Sequence, residues 1–119
     1  MKRLFDHIEK NSGQYVEELK NLCSYQSIST YRETHKEKVL ECAQSLVRIM
    51  NDLGIRTTAQ SIEEGNPLVI GELGLGNDGK TLMLYNHYDV QPPDPTADWE
   101  SDPFSPIERN GRIYGRGVA

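Results

Sequence analysis

Leu82-Met83-Leu84-Tyr85-Asn86-His87-Tyr88-Asp89-Val90-Gln91-Pro92 is the stretch on which the reading of this sequence turns. It opens with an apolar, partly β-favouring run and ends in a proline-rich segment, so the pattern predicts a buried strand giving way to a loop. Side chains two apart on a strand project to the same face. His87 and Asp89 would then stand together at a strand end, where α/β proteins build their sites. A metal-bound imidazole usually donates its second N–H to a carboxylate or carbonyl, which fixes its tautomer. By that logic His87 is a candidate metal ligand and Asp89 its orienting partner. An ordinary polar strand end accounts for this segment equally well.

Immediately upstream, Gly74-Leu75-Gly76-Asn77-Asp78-Gly79-Lys80-Thr81 satisfies G-x-x-x-x-G-K-[ST] at every fixed position, and taken alone it proposes an NTPase. That motif works only if its Lys-Thr end opens a helix, because the helix N-terminus supplies the amides that hold the anion. Here a strand-like run follows instead. The better reading is a hairpin turn at Gly76-Asn77-Asp78-Gly79, favoured by its Asp-Gly dipeptide.

Residues 55–63 and 68–73 read as two further strands joined by the turn Glu64-Gly65-Asn66-Pro67. Before Gly54 the period changes to that of a helix. Leu4, Phe5 and Ile8 form one short apolar face, and Asn11-Ser12-Gly13 offers a break and an N-cap. Tyr15, Val16, Leu19, Leu22 and Cys23 then recur at helical spacing, and 26–31 forms a polar connection. Val39, Ala43, Leu46, Val47, Met50 and Leu53 form the strongest helical pattern, with Gly54 as its stop. Lys36, Glu37, Glu41, Arg48 and Asp52 form its solvated face. Downstream, 91–106 carries all but one of the six prolines and reads as an ordered loop. Arg109-Asn110-Gly111-Arg112 is a type I′ hairpin signal. Helices first and strands afterwards predict an α/β fold: N-terminal helices followed by strands of a mixed sheet, incomplete within this chain.

The 119 residues leave little room for two domains, and 18 acidic against 13 basic residues, a net charge of −5, argue against a phosphate-backbone binder. No apolar run reaches the roughly 18 residues of a membrane span, and the N-terminus lacks a signal-peptide core, so a cytoplasmic protein without nucleic-acid or membrane partners is expected. Cys23 and Cys42 form no C-x-x-C pair and read as buried free thiols. His7 and His35 sit in charged helical surroundings and read as exposed.

The string His87-Tyr88-Asp89-Val90-Gln91-Pro92 is followed by Trp99, by Asp102-Pro103-Phe104-Ser105-Pro106, and by Asn110-Gly111-Arg112-Ile113-Tyr114-Gly115-Arg116-Gly117. This order closely resembles the zinc metallopeptidases that include acetylornithine deacetylase, succinyl-diaminopimelate desuccinylase, aminoacylase, carboxypeptidase and carnosinase-type dipeptidases. The wording of the His-x-Asp string leans toward the dipeptidase branch. One departure is Asn86, where a glycine commonly precedes the histidine.

The resemblance implies that residues 1–119 are the N-terminal part of a metallopeptidase catalytic domain. His87 would ligate one of two zinc ions, with cobalt or manganese as other divalent occupants, and Asp89 would be the active-site acid that orients it. Gly115-Arg116-Gly117 would shape a turn, and Trp99 and Phe104 would pack the loop. The bridging aspartate, the Glu-Glu pair with the general base, a further carboxylate and a distal His would follow Ala119, so the chain alone is expected to be inactive. The full-length protein is then expected to hydrolyse peptide or N-acyl amino acid bonds by water attack, and an exposed sheet edge or core face would be covered by a second copy in a homodimer. The alternatives are an inactive remnant or interaction module and, further off, the NTPase.

Overall fold

The computed structural model describes residues 1–74 and 79–118. Two helices, α1 (Lys2–Cys23) and α2 (Arg32–Asp52), precede the strands β1 (Arg56–Gln60), β2 (Leu68–Glu72), β3 (Ile107–Arg109) and β4 (Arg112–Tyr114), with a single 3₁₀ turn at Thr96–Asp98. These residues form two compact units, one of Ser27–Gln91 and one of Met1–Gln26 with Pro92–Ala119. The α/β class holds. Its sheet is represented among the described residues by two antiparallel hairpins and one parallel bridge, Ile28 to Val90.

Within the unit Ser27–Gln91, α2 packs on β1 and β2, and its Val39, Cys42 and Ala43 are buried. The five charged positions assigned to its outer face are exposed. Its end follows from Gly54, whose φ of 80° is a left-handed conformation that costs glycine little. Gly54 N–H donates to Asn51 O and Ile55 N–H to Met50 O, both at 2.9 Å, the paired bonds of a Schellman motif. The Asn51 side chain then ties this end to β1, donating to Val47 O (2.8 Å) and Thr57 O (3.3 Å) while accepting from Thr57 N–H (3.1 Å). β1 and β2 pair in the register Thr58 to Ile70. Gly71 must be small: a Cβ there would lie 2.5 Å from Met50 Cε and 2.9 Å from Ile55 Cγ2.

In the other unit, α1 runs unbroken where a break at Asn11-Ser12-Gly13 was expected. Asn11 Nδ2 donates back to His7 O (2.7 Å) and Ser12 Oγ to Glu9 O (2.9 Å), so both polar side chains satisfy the helix they were expected to interrupt. The ordered loop is held by Arg116, whose guanidinium lies 5.0 Å over the Trp99 ring and donates to Pro92 O at 3.1 Å. Gly115 stays small because a Cβ would come within 3.0 Å of Pro106 Cγ. The β3–β4 hairpin turns through Asn110 (φ 52°) and Gly111 (φ 71°), the two positive φ angles that a type I′ turn requires.

The strand expected over 81–88 is not formed. Leu82, Met83, Leu84 and Tyr85 are 84–89% exposed, and only Val90 enters a bridge. A strand needs a neighbour for its N–H and C=O groups, and no described residue pairs with 81–88. The turn proposed at Gly76–Gly79 lies largely outside the described residues. Lys80 and Thr81, which are described, belong to no helix, so the phosphate-loop reading lacks the element it requires.

Gly71→Ala is expected to lower the stability of the α2–hairpin unit by about 1–3 kcal/mol through overpacking against Met50 and Ile55, measured as a fall in the urea midpoint.

Candidate functional site

His87 and Asp89 meet in spite of the missing strand. The Asp89 carbonyl oxygen lies 2.8 Å from His87 Nδ1, and Asp89 Oδ1 lies 3.2 Å from it. A carbonyl oxygen can only accept, so Nδ1 carries the proton and donates to both oxygens. In the neutral ring this leaves Nε2 with a free lone pair. The His87 side chain is 72% exposed and that of Asp89 38%, so the pair sits at the surface of its unit. Asn86, the residue that departs from the family wording, has a local use: its Oδ1 accepts from His87 N–H at 2.8 Å.

The residue between them is the best anchored of the three. Tyr88 O accepts from the Ser27 hydroxyl at 2.8 Å and lies 3.8 Å from Cys42 Sγ. The Tyr88 hydroxyl donates to Pro67 O at 2.6 Å, and Val90 N–H donates to Ser27 O at 3.0 Å. Burial, with smaller contributions from Cys42 and Asp89, pushes the Tyr88 phenol up to about 12. Ser27 was read only as part of a polar connection. Its signal would have been Ile28 beside it, a β-branched residue able to pair, but one apolar residue in a polar segment carries little weight.

The other candidates make local contacts. His7 is exposed on α1 and contacts Asn11, its neighbour one turn on. His35 is half-buried rather than exposed, 5.5 Å from the Tyr31 ring and bonded to Thr34. Cys23 and Cys42 are buried and outside any disulfide.

As a metal site the donors fit one ligand and the group that orients it, and no more. Among the described residues, no three of His, Cys, Asp and Glu come together to hold an ion. Catalytic zinc takes three protein ligands.

Helices leading into short antiparallel strands, with a His-x-Asp pair directly ahead of a proline-rich loop, form an α/β segment that resembles part of a metallopeptidase. Residues 83–119, the stretch that carries the His-x-Asp string and the Gly-Arg-Gly turn, match the model of Peptidase family M20/M25/M40. The chain is 32% identical to the Cys-Gly metallodipeptidase of Schizosaccharomyces pombe over 98% of its own length and 26% of that protein. It is 33% identical to the cysteinylglycine-S-conjugate dipeptidase of Corynebacterium striatum, over 95% of its length and 25% of that protein. Human carnosine dipeptidase 1 superposes with a TM-score of 0.85 at 26% identity, covering 98% of this chain and 26% of that one. The chain therefore spans about a quarter of the length of these three relatives. No helix among the described residues is long and apolar enough to cross a membrane.

A phenol that ionises later in the folded chain than in the unfolded one binds its proton more tightly when folded. Stability from Tyr88 is therefore full below pH 10 and lost as pH rises toward about 12. Absorbance titration is expected to show a tyrosinate step near pH 12, which Tyr88→Phe deletes.

Proposed function

We propose that this chain supplies the His-x-Asp arm of a zinc-dependent hydrolase of dipeptide or N-acyl amino acid bonds, completed by ligands that the described residues do not contain. The observation that carries the reading is the Nδ1–H bond to Asp89, which in the neutral ring leaves the Nε2 lone pair free. That is the state an imidazole must be in to ligate. Zinc supplies Lewis acidity toward the attacking water and the scissile carbonyl. His87 contributes its Nε2 lone pair, and Asp89 holds the Nδ1 proton, raising the basicity of the ligand and keeping the ring aimed. The names of the relatives, two dipeptidases acting on cysteinylglycine units and a carnosine dipeptidase, support a small dipeptide over a folded protein as substrate. A homodimer in the cytoplasm is part of the same proposal.

Two measurements test it. Zinc added to the 119-residue chain is expected to shift the His87 Nε2 resonance and to bind more weakly than about 1 μM, because one ligand is well short of three. Nanomolar affinity in calorimetry would contradict the one-ligand reading. In a protein containing this chain within the full length of its relatives, zinc-dependent dipeptide turnover is expected, and Asp89→Ala should lower kcat/KM by about 10- to 100-fold. Turnover that ignores either zinc or that substitution would overturn the assignment.

A further inference from the structure

We propose that Ser27 is a positioning residue of the His87–Asp89 pair, acting through the two peptide planes that flank Asp89. Its consequence for metal binding rests on the reading of His87 as a ligand, but the geometry is independent of it. The peptide before Asp89 contains Tyr88 C=O, which the Ser27 hydroxyl holds at 2.8 Å. The peptide after it contains Val90 N–H, which Ser27 O holds at 3.0 Å. One residue thus grips both planes around Asp89.

The second plane also carries the Asp89 carbonyl, directed opposite to Val90 N–H because a trans peptide is rigid and planar. That carbonyl is the nearer acceptor of His87 Nδ1–H, at 2.8 Å. Fixing Val90 N–H therefore aims the oxygen that sets the histidine tautomer, and fixing Tyr88 C=O holds the φ of Asp89 from the other side. Ser27 is 2% exposed, so water does not compete for either bond. The parallel bridge of Ile28 to Val90 keeps the two segments in register. The Cys42 thiol donates to the same Tyr88 oxygen at 3.8 Å, a longer and weaker bond than that of the hydroxyl.

The test compares the wild-type 119-residue chain with Ser27→Ala and Ser27→Thr by long-range ¹⁵N NMR of the His87 ring, with amide protection at Val39 and Ala43 as the check that α2 remains packed. In the wild type the two ring nitrogens are expected at well-separated shifts, one protonated and one bare. Ser27→Ala should move them toward a common average as the ring exchanges tautomers, and Ser27→Thr, which keeps the hydroxyl, should restore the separation. A role in stability alone would lower protection without moving the ring shifts. Unchanged separation in folded Ser27→Ala, or no rescue in folded Ser27→Thr, overturns the proposal. If Ser27→Ala does not fold, hydroxyl exchange in the wild type decides: a slowly exchanging Ser27 proton supports the clamp, and exchange at the solvent rate refutes it. Zinc that leaves the wild-type Nε2 unshifted defeats the ligand reading, while the tautomer comparison still decides for Ser27.

Discussion

Attachment of the segment 88–90 to Ser27 and Ile28 is the constraint from which the candidate site takes its form. The residues shortly before it, Leu82 to Tyr85, are exposed and form no strand. Order begins at Tyr88, with its carbonyl on Ser27, its hydroxyl on Pro67 O and its neighbour Val90 bridged to Ile28. These bonds lie mostly out of water, where a buried carbonyl left without its donor would cost about 1–3 kcal/mol. The cost of breaking them is what makes the position definite.

The packed body of that unit serves the same end. The Schellman closure of α2 sends the chain into β1, Asn51 fastens the junction, and Gly71 lets β2 come close to Met50 and Ile55. Pro67, the acceptor for the Tyr88 hydroxyl, stands at the entrance to β2. The hairpin therefore does more than cover α2: its turn holds the middle residue of the His-x-Asp motif. In the other unit Arg116 does comparable work for the loop, tying the Gly-Arg-Gly turn to Trp99 and Pro92.

Much of this was legible in the residues, for reasons that differ by element. Gly54 and Asn110-Gly111 were readable because positive φ angles restrict residue choice so strongly that composition reports backbone directly. The α2 face was readable because its core positions recur at helical spacing. Continuity of α1 through Asn11-Ser12-Gly13 was not, since the same side chains can cap a helix or bond back into it, and spacing alone does not choose. The strand over 81–88 misled for the opposite reason: its composition describes a buried, paired setting, and pairing is a property of the neighbour as much as of the run itself. His87 and Asp89 were found by their spacing, although backbone hydrogen bonding rather than strand alternation brings them together. Ser27 gave no signal, because a serine that donates to a carbonyl 61 positions away looks like any serine in a polar linker.

The acceptor of the His87 proton belongs mainly to the main chain two residues further on, at 2.8 Å, with the carboxylate at 3.2 Å. A carbonyl cannot be deleted by mutation and does not titrate. Tautomer choice in this motif is therefore written into a three-residue loop and survives changes of the side chain at position 89 that would abolish a purely carboxylate-based orienter. Only the charge that tunes the imidazole is left to the genetic code at position 89, which separates the geometry of the ligand from its electronics and allows each to vary without the other.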